Sequence, residues 1–237
     1  MPIASAPDSR HRTKQEFAYQ TLKDAILRCD LRPNERLIID DLARRLHVSA
    51  IPIREAIQML QSEGLVVTVP HTGATVAPIS PASIQDVFAV LEGLELVASR
   101  LVAESGNLDE LNNLARLVDE MDRLAERQDH AEWAELNTRF HRTIGSLPGM
   151  PLMAEMTERA LERWNRVRRY YFRGVLVHRV GLAQQEHHEM IAAMRAADLP
   201  RLEAAVRQHN RRAFAAYMTY LASAKDAPDA PATAGLS

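Results

Sequence analysis

The chain has 237 residues, 46% of them apolar and 25% charged, a balance that supports a buried core and excludes a disordered or fibrous protein. Its single cysteine, Cys29, rules out an internal disulfide and fits a reducing cytosol; the leading MPIASAPDSRHRTK has no signal-peptide-like apolar run, so a cytoplasmic protein is expected. The formal net charge of −2, with ten Lys/Arg against nine Asp/Glu up to residue 78 and nineteen against twenty-two beyond, excludes bulk attraction to nucleic acid, so any DNA contact must be local.

Residues 1–13 and 224–237, rich in Ala, Pro, Asp and Ser, read as flexible tails. Phe17, Ala18, Leu22, Ala25 and Ile26 recur at helical spacing, and Pro33 with Asn34 in LRPNERL breaks that helix. A second helix is predicted over roughly 40–46. After a turn at His47–Ser49 a third opens on Ser49 as N-cap, with Pro52 in its first turn, and stops at Gly64. LVVTV, PHTG and ATVA then read as strand, turn and returning strand. Three helices and a hairpin make a winged helix-turn-helix over 14–78.

Helical periodicity fills the rest, 79–223. Ser80 with Pro81 opens the first of six helices, and Asn107 with Glu110 resembles a capping box at the second. Others are expected over about 130–146, 150–173 and 178–197, punctuated by Gly149 and Gly174, with Asp198 capping the last, which runs to about 222. The fold class is mainly α: a winged helix-turn-helix followed by an antiparallel six-helix bundle, with no membrane-length span.

In a helix-turn-helix the second helix of the motif enters the major groove. Arg54, in the first turn after Ser49, is placed to grip a guanine edge or a phosphate; the plainer alternative is a solvated charge paired with Glu55 or Gln58. The stretch from YQTLKDAIL through LRPNERLIIDDLARRLHVSAIPIREAIQMLQSEGLV to PHTGATVA closely resembles the DNA-binding domain of GntR-family bacterial transcription regulators. The resemblance implies a direct DNA contact at Arg54, a phosphate-contacting cap at Ser49, wing contacts at His71, Thr72 and Gly73, and phosphate partners at Arg44 and Arg45. Ala50 stands where many relatives have arginine, and Cys29 and Asn34 stand where relatives often carry glycine.

In the bundle, Asn137 and His141 are four residues apart and share a helix face. His187 and His209 lie eleven residues either side of Asp198, so a tight turn there sets them level across a helical hairpin. Three imidazoles and an amide oxygen from three helices suit zinc or another borderline divalent ion; the alternative is a set of hydrogen-bonded histidines at the edge of a core, and His188 could stand in for His187. This region resembles the FCD ligand-binding domain of the FadR branch of the family, and six helices are similar to its VanR-like subgroup. The resemblance implies metal ligands at Asn137, His141, His187 and His209, with Asn137 where aspartate is commonest. It also implies a small carboxylate effector, zinc as the leading metal with nickel, manganese or iron as alternatives, a homodimer on a palindromic operator, and repression more often than activation. Relatives supply an arginine clamp where this chain has Leu91. Arg168, on the stripe of Leu161, Trp164 and Tyr171, is the substitute, either turned inward with Glu95 as its partner or snorkelling over Trp164. A metal enzyme and a protein-interaction bundle are the rival function classes; the first lacks a placed general base and leaves the winged helix unexplained.

Overall fold

The computed structural model describes residues 13–225, which fall into two compact units divided between Ile79 and Ser80. The expected tails therefore lie outside the described residues, except that Thr13 caps the first helix through its hydroxyl and the last helix continues through Lys225.

The first unit holds α1 (Lys14–Leu27), α2 (Ile39–Arg45), α3 (Ala50–Ser62) and the antiparallel strands β1 (Val66–Val69) and β2 (Gly73–Val76). The hairpin register runs from Val66 opposite Val76 to Val69 opposite Gly73. Ala18, Leu22 and Ile26 from α1 meet Ile53, Ala56, Ile57 and Leu60 from α3, with Leu42, Leu65, Val66 and Val76 closing the same core. The segment predicted only to break the first helix does more: Asn34 N–H donates to the Val76 carbonyl (3.0 Å), and Leu37 N–H to Ala74 (2.9 Å). Residues 34–37 thus lie along β2 and satisfy its outer edge. Asn34 and Cys29 both adopt left-handed backbone (φ 67° and 64°), the conformation glycine would give at lower strain. Gly64 (φ 70°) ends α3: its N–H reaches Gln61 O and that of Leu65 reaches Leu60 O, the paired bonds of a Schellman stop.

The second unit is a bundle of α4 (Pro81–Ser105), α5 (Leu108–Glu126), α6 (His130–Ser146), α7 (Pro151–Tyr170), α8 (Val177–Arg195) and α9 (Leu199–Lys225). A complete capping box forms at Ser80 with Ser83, whereas Asn107 caps α5 by accepting from Asp109 and Glu110 N–H and the Glu110 side chain adds no return bond. Asp198 accepts from Arg201 N–H at the start of α9. Gly174 does not separate α7 from α8. The two are joined by a π-helical turn over Phe172–Leu176, and a Cβ at Gly174 would collide with the Tyr220 ring, so glycine lets this turn press against α9. The core is built on Leu111, Leu114, Val118 and Met121 of α5 against Trp133, Phe140, Ile144, Met190 and Val206.

Candidate functional site

At the head of α3, Ser49 is the N-cap residue by position, with extended backbone (φ −75°, ψ 168°), but its hydroxyl makes no cap hydrogen bond and is exposed. Arg54 is also exposed and, among the described residues, has neither Glu55 nor Gln58 as a partner. Ile51 beside it is 67% exposed, an apolar side chain left on the outer face, not a core contact as Ile53, Ile57 and Leu60 are. Among the described residues, the half-buried Asp41 is the ion-pair partner of Arg44 and Arg45 of α2, at 3.3 and 4.0 Å. In the wing, His71 (φ 62°) and Gly73 (φ 89°) turn the hairpin, with Thr72 N–H donating to Val69 O.

In the bundle, His141 from α6, His187 from α8 and His209 from α9 each offer one ligand nitrogen, and these lie within 4.8 Å of one another. The aromatic shell is tight: Phe140 sits 4.8 Å from the His187 ring and 5.3 Å from His141, and Trp133 stacks on His187 at 6.2 Å. Hydrogen bonding fixes what each ring presents. Gln184 donates through Nε2 to Val118 O (3.1 Å) and Asp122 Oδ1 (2.7 Å), so its Oε1 is the atom that faces Trp133 Nε1 at 3.1 Å and His187 Nδ1 at 3.2 Å. His187 must then donate from Nδ1 and keep its lone pair on Nε2. The other two rings follow the same rule with carboxylates: His141 Nδ1 meets Glu95 Oε1 and His209 Nδ1 meets Glu186 Oε2 at 2.8 Å.

Two atoms in this nest remain buried without a hydrogen-bond partner, His187 Nε2 and Asn137 Oδ1. Leaving such lone pairs desolvated costs on the order of 1–3 kcal/mol each. Both are lone-pair donors beside two more imidazoles, so His141, His187, His209 and Asn137 fit a divalent cation, which would supply Lewis acidity to an oxygen ligand. Burial, reinforced by the neighbouring His209 and His141, holds the His187 imidazole well below its ordinary pKa and hence neutral. Burial also lowers His209, against the opposing hydrogen bond to Glu186. For Glu95, burial alone would raise the carboxyl, but the charge and hydrogen bond of His141, with His209 and Asn210 behind them, bring it down to about 2.

Asn137, His141 and His209 face a cavity; Leu91, Trp164, Leu161 and Tyr217 supply much of its apolar wall. Three sequence expectations are corrected here. His188 cannot replace His187, because it turns outward to Asp122 Oδ2 at 2.7 Å. Arg168 is turned inward and only 1% exposed, yet its guanidinium donates to the Ala134 carbonyl and to Glu135 (3.0 Å) and it does not line this cavity. Glu95, the expected partner of Arg168, binds His141 and Asn210 instead (Asn210 Nδ2 at 2.7 Å). The arginine that does line the cavity is Arg179 of α8, buried and paired with Glu186 at 2.5 Å. The sequence carried a faint sign of it, since Arg179 and Glu186 are seven residues apart and share one face of α8.

Residues 14–76 match the gntR family of bacterial regulatory proteins, and residues 86–212 match the FCD domain. The chain belongs to the GntR family, with an FCD domain after the winged helix. Among its relatives, the transcriptional regulator McbR of Escherichia coli K12 is 26% identical over 168 residues, spanning 71% of this chain and 76% of that protein. The transcriptional repressor GlaR of the same organism is 28% identical over 197 residues, spanning 81% and 90%. The solved structure of E. coli McbR/YncC superposes with a TM-score of 0.68 at 23% identity, over 89% of this chain and 100% of that one. A GntR regulator from Rhodococcus gives 0.67 at 21% identity, over 90% and 99%. At such identities these two structures speak for the fold alone. This GntR regulator is therefore a DNA-binding transcription regulator, not an enzyme, and no helix among its described residues is long and apolar enough to cross a membrane.

Proposed function

We propose that this regulator is a cytoplasmic repressor that binds a palindromic operator as a homodimer, through residues 14–78, and responds to a small organic acid bound at a metal site within residues 79–223. The observation that carries the reading is the histidine nest: every Nδ1 is held by a fixed partner, while His187 Nε2 and Asn137 Oδ1 are buried without one. Partners of that kind fix the tautomer and orientation of metal-binding imidazoles. Zinc is the first choice of ion because three imidazoles are borderline donors; nickel, manganese and iron are the alternatives. Asn137 provides a neutral oxygen, so an anionic ligand would complete the charge balance, which favours a carboxylate over a neutral sugar.

At the operator, the exposed Arg54 guanidinium and the exposed Ser49 hydroxyl at the start of α3 support base-edge and phosphate contacts, with Arg44, Arg45, His71, Thr72 and Gly73 as further contacts. Two copies would present two such helices to the half-sites of a palindrome. The effector acts only insofar as it binds the DNA-competent and DNA-incompetent states unequally. The test is to measure metal content in protein purified without chelator, then select genomic fragments at low salt with and without candidate carboxylic acids. Roughly one metal per chain, and fragments released by one acid, are the expected results; a metal-free chain that takes up no ion, or one that retains no duplex in any ligation state, overturns the reading.

A further inference from the structure

The histidine cavity is narrow-walled: Leu94 is half-buried and every other residue around it is buried. On one side lies an open groove of about 800 Å³, bordered by the π-helical turn, α8 and the last turns of α9, and the groove and the cavity share two residues, Val175 and Arg179. Val175 belongs to the π-helical turn, where hydrogen bonding departs from the regular helix. Arg179, the other shared residue, is held by Glu186 and by the His209 carbonyl at 3.0 Å.

Charge at this wall is unbalanced. Glu186, only 6% exposed, takes the Arg179 guanidinium at 2.5 and 3.5 Å and that of Arg212 at 3.5 Å. Among the described residues it is the one carboxylate in ion-pair reach of either arginine, so two cations share one anion. The other side chain on Arg212 is the neutral amide of Gln208. Arg212 stands at the groove, half-exposed, with His178 nearby. A pair of guanidinium groups with a charge to spare, at the rim of a concave surface, attracts and holds a small anion.

We propose that this groove is an outer binding site for a small carboxylate and the entrance to the histidine cavity, with Arg212 receiving the anion and Arg179 swinging from Glu186 to pass it inward. The proposal rests on the effector-binding reading of the same domain and adds the route and the residues that choose anions. Because Glu186 also holds His209 Nδ1, movement of Arg179 is transmitted directly to the orientation of one imidazole.

The experiment uses the full chain with Cys29→Ser and a reporter thiol in the cavity wall, Ala213→Cys, labelled with an anionic or a neutral methanethiosulfonate of similar size. Labelling of the reporter is expected to be about tenfold faster with the anionic reagent, an advantage that Arg212→Gln removes while the neutral rate stays unchanged. Ala216→Trp in the groove, with the more exposed Thr219→Trp as a second variant should the first fold poorly, is expected to slow both reagents about tenfold. Leu94→Trp, at the half-buried point of the cavity lining and away from the groove-lining residues, is expected to leave both rates alone. Slowing by Leu94→Trp instead of the groove variants, equal rates for the two reagents, or no labelling short of global unfolding each overturns the proposal. Labelling needs no metal, so a chain that binds no ion refutes the metal-site reading separately.

Discussion

Gln184 Oε1 stands 3.2 Å from His187 Nδ1, and the same oxygen accepts from Trp133 Nε1, so one amide sets both the tautomer of the imidazole and the plane of the ring stacked on it. Gln184 touches no cation itself. Its replacement, Gln184→Leu, is expected to weaken divalent-metal affinity by about 10–100-fold, the range seen when a partner that orients a ligand is lost. Competition against a chromophoric chelator measures this, and circular dichroism of the apo chain checks that the bundle still folds. Unchanged affinity would remove the argument from fixed tautomers.

His141→Ala and His209→Ala are each expected to abolish retention of metal through purification, read by elemental analysis. Asn137→Asp should act in the opposite direction. It substitutes a charged oxygen for a neutral one at a position facing the cavity, and an affinity gain of about tenfold, or ~1.4 kcal/mol, is expected. A loss of affinity in Asn137→Asp would mean that the amide oxygen points at something other than the ion.

Arg54 is free of intramolecular partners among the described residues, so its removal should leave stability nearly unchanged. Arg54→Ala is expected to cost about 1–3 kcal/mol of discrimination between an operator and unrelated duplex. Fluorescence anisotropy against both, across a salt series, separates a base contact from a phosphate contact: the first changes the ratio, the second lowers both affinities and flattens the salt dependence. Equal binding to operator before and after substitution would exclude this helix end as the reading element.

A buried phenol, Tyr217, and a half-buried one, Tyr171, govern the alkaline limit. Burial, with Tyr170 and Tyr220 adjacent, raises Tyr171 to about 12, and burial against the opposing charges of Arg168 and Arg179 raises Tyr217 as well. A folded-state pKa above the unfolded value means the native chain holds its protons longer. The stability these phenols contribute is therefore complete below the unfolded value near 10 and declines as pH rises through about 12. Tyrosinate absorbance should show these two phenols titrating late or only with unfolding, and chemical denaturation should show stability falling across that same window. Early, reversible titration of all five tyrosines of the chain would contradict the packing around α9.

Much of this architecture was legible because its determinants are local. Ser49, Pro52 and Gly64 bracket α3 through backbone requirements that no distant residue alters, and the period of apolar positions names the buried face of each helix. The alignment of His187 with His209 was legible for the same reason: a short turn at Asp198 with equal arm lengths leaves little freedom. The pairing of residues 34–37 with β2 escaped notice because it joins segments some forty residues apart, and a proline-containing stretch reads as a breaker until its partner is in place.

The sequence by itself determined most of the helices and their apolar faces, the shared face of Asn137 and His141, and the level placing of His187 and His209 across a hairpin. Only the tertiary structure decided that Arg179 rather than Arg168 borders the cavity, that Glu95 serves His141, and that Gln184 and Glu186 orient the other two imidazoles. The physical reason is range: caps, turns and periodicity act within a few residues of one chain segment. A buried charge or lone pair, by contrast, takes whichever partner the packing of separate helices brings within about 3 Å, a condition that no single segment encodes.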